Sequence, residues 1–184
     1  MRSRLAGTAA LITMLATAEA SACAFHITGL GGFDLAYPGS MRVALAVAEA
    51  KLYGNLPQTI LPEGDEGLRI TSNAMKTLGD RLDQIPQDSM ADFYILLVDR
   101  RLWTRYYVET YSDGKAYNVY VHTSAPEEDI PVALMTYDVL EALATEKMTV
   151  SEAVDARLIR IQGRSPDKVS TALNLAYGID LASR

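Results

Sequence analysis

Phe93-Tyr94-Ile95-Leu96-Leu97-Val98-Asp99, Leu102-Trp103-Thr104-Arg105-Tyr106-Tyr107-Val108-Glu109-Thr110-Tyr111 and Tyr117-Asn118-Val119-Tyr120-Val121-His122-Thr123 follow one another with short gaps. All three runs are rich in aromatic and β-branched residues, which pack well on a pleated surface, and they predict three consecutive strands. Ser112-Asp113-Gly114-Lys115 supplies a hairpin turn, which makes the second and third strands antiparallel. Side chains alternate along a strand, so Trp103, Tyr107 and Tyr111 share one face and Thr104, Tyr106, Val108 and Thr110 the other. Neither face is wholly polar, so both call for cover by helices, by a partner or by a bound apolar molecule. Each tyrosine taken singly reads as core packing with its hydroxyl at the rim.

Helical periodicity flanks the strands on both sides. Val43, Ala44, Val47, Ala48 and Leu52 predict a helix from Met41 to Tyr53, with Ser40 as N-cap and Gly54-Asn55-Leu56-Pro57 as its close. Asn55 to Gly67 reads as a loop, after which Ala74, Met75, Leu78, Leu82 and Ile85 set out a second amphipathic helix stopped by Pro86. Beyond the strands, Val132 to Met135 reads as a short apolar strand. Thr136 then caps a helix from Tyr137 to about Glu146, with Val139, Leu140, Leu143 and Ala144 on its buried face. Thr149-Val150-Ser151-Glu152 has capping-box spacing and starts a further short helix. Leu158 to Ile161 is the last strand, and Ser165-Pro166 opens a final helix that Gly178 ends. Without repeats or low-complexity tracts, residues 41–184 read as a single α+β domain.

The front of the chain sets its destination. Arg2 and Arg4 precede an apolar run from Leu5 to Ala18, and Ala18-Glu19-Ala20-Ser21-Ala22-Cys23-Ala24 offers small residues to a peptidase. Residues 1–22 read as a signal peptide, too short for a membrane-spanning helix, and the mature protein is expected to be periplasmic or secreted. Cuts after Ala20, Ala22 or Ala24 all fit. Ala20-Ser21-Ala22-Cys23 also resembles a bacterial lipobox, which would lipidate Cys23 and tether the protein to a membrane. Residues 23–40 form a Gly-rich arm, in which Gly29-Leu30-Gly31-Gly32 lacks the preceding strand and following Lys-Ser/Thr of a phosphate loop.

With 17 basic and 23 acidic residues the net charge is −6, and loss of Arg2 and Arg4 with the signal deepens it. Nucleic acid is therefore not an expected partner. The hydrophobic fraction of 49% suits one domain with a real core. A lone cysteine cannot form an internal disulfide, so the fold must rest on burial.

One portion carries a resemblance. Val132-Ala133-Leu134-Met135-Thr136, Val139-Leu140-Glu141-Ala142-Leu143 and Val150-Ser151-Glu152-Ala153-Val154-Asp155-Ala156-Arg157-Leu158-Ile159-Arg160-Ile161-Gln162-Gly163 resemble the C-terminal half of sterol carrier protein 2 domains. With the preceding helix and three strands in the family's order, the likeness covers about residues 74–178. Where that family has glycines, before the short helix and before the last strand, this chain has Thr145-Glu146-Lys147 and Ala156-Arg157. Those turns are expected to be made differently. The resemblance implies a mostly antiparallel sheet of about five strands, covered by helices that leave an apolar tunnel for a lipid, sterol or quinone. Leu96, Val98, Tyr106, Val108, Val119, Val121, Leu140, Leu143 and Leu173 are the candidate lining residues, although a tunnel and a plain core use the same side chains.

Signs of chemistry are sparse. The two histidines, His26 and His122, lie in the arm and in a strand with no nucleophile elbow beside them, and Glu127, Glu128 and Asp129 read as a solvated cluster. Catalysis is not expected, nor is a resident cofactor. An alternative centres on Cys23-Ala24-Phe25-His26, whose thiolate and imidazole suit Cu(I) or Zn(II), with a new terminal amine, His122 or Met41 to complete the set. Lipidation of Cys23 would exclude that use. The sequence thus points to an exported, non-enzymatic carrier of a hydrophobic molecule, with a membrane or membrane protein as its partner. Its competitor is a periplasmic accessory protein for metal handling or protein interaction through Cys23 and His26.

Overall fold

The computed structural model describes residues 37–127 and 129–178. Its elements in chain order are α1 (Ser40–Leu52), α2 (Gly64–Leu82), a 3-10 turn (Gln87–Ser89), β1 (Phe93–Leu97), β2 (Leu102–Tyr111), β3 (Gly114–Val121), β4 (Val132–Met135), α3 (Tyr137–Ala144), α4 (Val150–Asp155), β5 (Arg160–Gln162) and α5 (Pro166–Tyr177). The five strands form one sheet in the order β3-β2-β1-β4-β5. Three neighbouring pairs are antiparallel and only β1 with β4 is parallel, so the fold is α+β with a mixed, mostly antiparallel sheet.

Register assigns every side chain to a face. Phe93 lies opposite Tyr106, Ile95 opposite Thr104 and Ala133, and Tyr106 opposite Val119, so these side chains share the inner face. α2 packs on that face, where Gly79 leaves room for Val119 and Tyr106. Phe93 and Tyr106 stack with centroids 4.9 Å apart, Tyr117 meets both rings edge-on, and the Tyr106 hydroxyl donates to the Met75 carbonyl at 2.8 Å. Burial pushes the Tyr106 phenol well above its ordinary pKa.

Tyr94, Leu96, Trp103, Leu134 and Arg160 occupy the outer face. The start of α1 lies over part of it, with Gly39 against Leu134 and Arg160, and Tyr37 meets Trp103 edge-on at 5.2 Å. Towards β3 that face is open, and Tyr107, Tyr111 and Tyr120 are exposed. Both faces carry aromatic groups, as their alternation required, and the exposed tyrosines are on the outer one.

Several boundaries moved. Ser40 is the first helical residue of α1 and not its N-cap, which is Gly39 at φ 96°; the buried Ser40 hydroxyl has no hydrogen-bond partner. α2 begins at Gly64, inside the segment read as a loop, because its buried stripe opens with Gly67 and Thr71 before reaching Met75, Leu78 and Leu82. The Thr71 hydroxyl is satisfied by the Gly67 carbonyl at 2.8 Å. Thr136 precedes α3 as expected, yet the Tyr137 N–H is capped from another element, by Asp99 Oδ1 at 3.0 Å. The capping box at Thr149 and Glu152 forms as read.

The turns after α3 and α4 are made with left-handed residues other than glycine. Glu146 has φ 57° and Arg157 φ 60°. After α3, Glu146 N–H bonds Leu143 O and Lys147 N–H bonds Ala142 O; after α4, Arg157 N–H bonds Val154 O and Leu158 N–H bonds Ala153 O. Both are Schellman closures, the same device that ends α1 at Gly54. Each turn bears the steric cost of a side chain in the left-handed region.

Candidate functional site

The nine candidate lining residues do not converge on one space. Tyr106, Val108, Val119 and Val121 are on the inner face, whereas Leu96 and Val98 belong to the opposite parity of β1 and its extension. Leu140 and Leu143 are buried on α3 and Leu173 on α5. Leu96, Val98, Tyr106 and Leu173 are at most 1% exposed, while Val108, Val119 and Val121 are half-buried against the core. Cys23 and His26 lie outside the described residues. His122 is exposed at the end of β3 with φ 65°. Among the described residues no group of three or more His, Cys, Asp or Glu side chains is placed to hold a metal ion.

A space that can admit a ligand lies elsewhere, in an open groove of about 1230 Å³ between α1 and the stretch from Met148 to Ile161, roomier than a second pocket of about 570 Å³ beside Ala91, Ile130 and Lys168. Val43, Leu158 and Ile159 form its buried floor, and Ala46, Ala50 and Met148 its half-buried sides. Leu45, Tyr53 and Val154 stand exposed at the rim. The floor exists because α4 is fixed at both ends. The capping box sets its start, and the left-handed Arg157 turns the chain so that Leu158 and Ile159 N–H both reach the Ala153 carbonyl, at 2.8 and 3.1 Å.

Charged side chains also line the groove, Arg42, Arg157 and Arg160 together with Glu49 and Asp155. Arg160 is the best fixed. Its Nε donates to Gln162 Oε1 at 3.1 Å, and Gln162 Nε2 donates to the Pro38 carbonyl at 2.7 Å, tying β5 to the approach to α1. Gly39 is required twice over here, since a Cβ would lie 3.0 Å from the Arg160 side chain and its φ is 96°.

Other carboxylates in the domain serve the backbone. Asp83 accepts from Tyr117 N–H at 2.6 Å, Asp92 from Val108 N–H at 2.8 Å and Asp138 from Thr59 N–H at 2.6 Å, with Lys51 2.5 Å from the second Asp138 oxygen. Burial pushes the Asp99 carboxyl up, against the Tyr137 N–H and the Arg100 charge, which favour its ionised form. None of the nine lining candidates named a groove wall. The readable signal was the apolar character of α1 on more than one side, since Leu45 and Leu52 cannot join Val43 and Val47 in the core.

No family model matches the chain, and no curated protein does. Among solved structures it is similar to the stereoselective inverting sec-alkylsulfatase Pisa1 from Pseudomonas sp., with 14% identity and a TM-score of 0.39 over 53% of this chain and 14% of that one. A double mutant of the sec-alkyl sulfatase PisA1 matches with 13% identity and a TM-score of 0.37, over 74% of this chain and 20% of that one. The chain spans only a small part of these enzymes, and likeness at this level says nothing of its activity. Fold and groove together define an α+β domain with an open, apolar-floored cleft.

Proposed function

We propose that this protein is an exported, non-enzymatic carrier that holds a hydrophobic molecule of the lipid, sterol or quinone class in the groove between α1 and the α4–β5 segment. The groove carries the reading, because it joins an apolar floor to charged side chains. An amphiphile would bury its tail over Val43, Ala46, Ala50 and Leu158 and leave its polar end near Arg42 and Arg160. Removing that tail from water supplies about 25 cal/mol per Å². The sterol-carrier resemblance suggests the class of cargo, with Glu146 and Arg157 departing from the glycines that family has at those turns. Export rests on the leader, and delivery to a membrane partner follows from the cargo's chemistry.

Native mass spectrometry after gentle extraction tests this. The expected result is an adduct of lipid mass that Ala46→Trp and Ala50→Trp, which fill the groove, each remove while the far-ultraviolet circular dichroism is unchanged. A bare polypeptide mass, or an adduct that survives both substitutions, overturns the assignment.

A further inference from the structure

Helix α1 has three kinds of face. At 100° per residue, Ser40, Val43 and Val47 point into the core, and Arg42, Ala46, Glu49 and Tyr53 point into or beside the groove. The third side, which borders the groove at Leu45, carries Met41, Leu45, Ala48 and Leu52, all exposed, with Leu45 62% and Leu52 80% exposed. Their spacing of four, three and four residues is that of a coiled-coil seam, with Ala48 small enough to let a facing helix approach. An apolar helix side of this kind calls for a cover.

We infer that the cover is a second copy of this chain, with two α1 helices packed antiparallel about a two-fold axis. The flanking charges choose that occupant. In an antiparallel pair the residues on the same flank of each seam face one another. Arg42 of one copy therefore meets Glu49 of the other, and the symmetry repeats the pair in reverse. The opposite flank holds Ala44 and Lys51, and the Lys51 ammonium is drawn to Asp138, so no like charges oppose across the axis. An anionic membrane would gain at Arg42 only what it loses at Glu49, whereas a second copy answers both charges. Arg42, Leu45 and Glu49 also border the groove, so a bound amphiphile and the partner copy would compete for them.

Four side chains on a 13-residue helix make a small contact beside the about 800 Å² per partner typical of stable complexes, so the association is weak, in the micromolar-to-millimolar range. Sedimentation equilibrium of the full chain across that range tests it. The expected result is a mass that approaches twice the monomer, a monomer for Leu45→Glu and for Leu52→Glu, at least a tenfold weaker dimer for Arg42→Glu, and recovery when Arg42→Glu is combined with Glu49→Arg. Far-ultraviolet circular dichroism of each variant identifies any that fail to fold, and the charge-swapped pair is decisive because it alters no apolar contact. A monomer at all concentrations, a dimer indifferent to the seam substitutions, or vesicle binding by a strictly monomeric protein that Leu45→Glu abolishes overturns the inference.

Discussion

The carboxylate of Asp83, the residue that closes α2, accepts the backbone N–H of Tyr117 at 2.6 Å. Tyr117 is on β3, an edge of the sheet, and it pairs with Val108 without the two exchanging backbone bonds, since Val108 N–H goes to Asp92. The Tyr117 N–H therefore points outward from the edge, where another chain's strand could take it. Asp83 fills that place and ties α2 to the edge in one bond.

Asp83→Ala is expected to cost about 1–2 kcal/mol in urea denaturation, the range of a hydrogen bond to a charged group at a partly exposed site. It should also raise the rate of aggregation in light scattering, whereas Asp83→Asn, which retains an acceptor oxygen, should recover most of both. Equal loss from the two substitutions would mean that the negative charge, and not the acceptor, does the guarding.

Glu146 and Arg157 hold left-handed conformations that cost an L-residue with a Cβ roughly 1–2 kcal/mol, part of which glycine gives back through the greater freedom of its unfolded chain. Glu146→Gly and Arg157→Gly are each expected to stabilise the domain by about 0.5–1 kcal/mol, read as a higher urea midpoint at unchanged slope. Glu146→Val should lower the midpoint, because branching at Cβ makes that conformation worse.

At Gly79 an added Cβ would collide with the Val119 side chain across the α2–β3 contact. Gly79→Ala gains about 1 kcal/mol of helix propensity and meets an overpacking cost of about 1–3 kcal/mol, so a net loss is expected. In a Val119→Ala background the collision is gone, and Gly79→Ala should turn stabilising by about 1 kcal/mol. A double-mutant cycle in urea measures that change of sign.

The strands were legible because their signal is local. β2 and β4 have the limits that β-branched and aromatic runs predicted, and the Thr149–Glu152 capping box is seen from a spacing of three residues. The first half of α2 was hidden because its buried positions are Gly67 and Thr71, which periodicity reads as polar. The caps from Asp83, Asp92 and Asp99 join residues 34, 16 and 38 positions apart, and nothing in the spacing of a carboxylate tells which distant N–H it will meet. The groove was illegible for a related reason. Its floor residues look like core residues, and only the path of the chain after Arg157 separates them from it.

Buried tyrosines set the alkaline limit of the fold. Burial raises the phenols of Tyr117 and Tyr137 from 10.0 to about 12, and those of Tyr106 and Tyr177 are raised as well. A phenol that ionises less readily when folded keeps its proton longer in the native state than in the unfolded chain. Its contribution is thus fully present below pH 10 and is lost as the pH rises through about 12. Urea midpoints are expected to be level with respect to these groups below pH 10 and to fall steeply above it, while tyrosinate absorbance rises in two stages, the exposed phenols first and the buried ones late and together with unfolding. The Tyr117 hydroxyl both accepts from Ala91 N–H and donates to Ala91 O, at 3.0 and 3.1 Å, so Tyr117→Phe should lower stability at neutral pH and flatten the alkaline fall. An alkaline fall as steep in Tyr117→Phe as in the parent protein would remove Tyr117 from this account and leave the limit to Tyr106, Tyr137 and Tyr177.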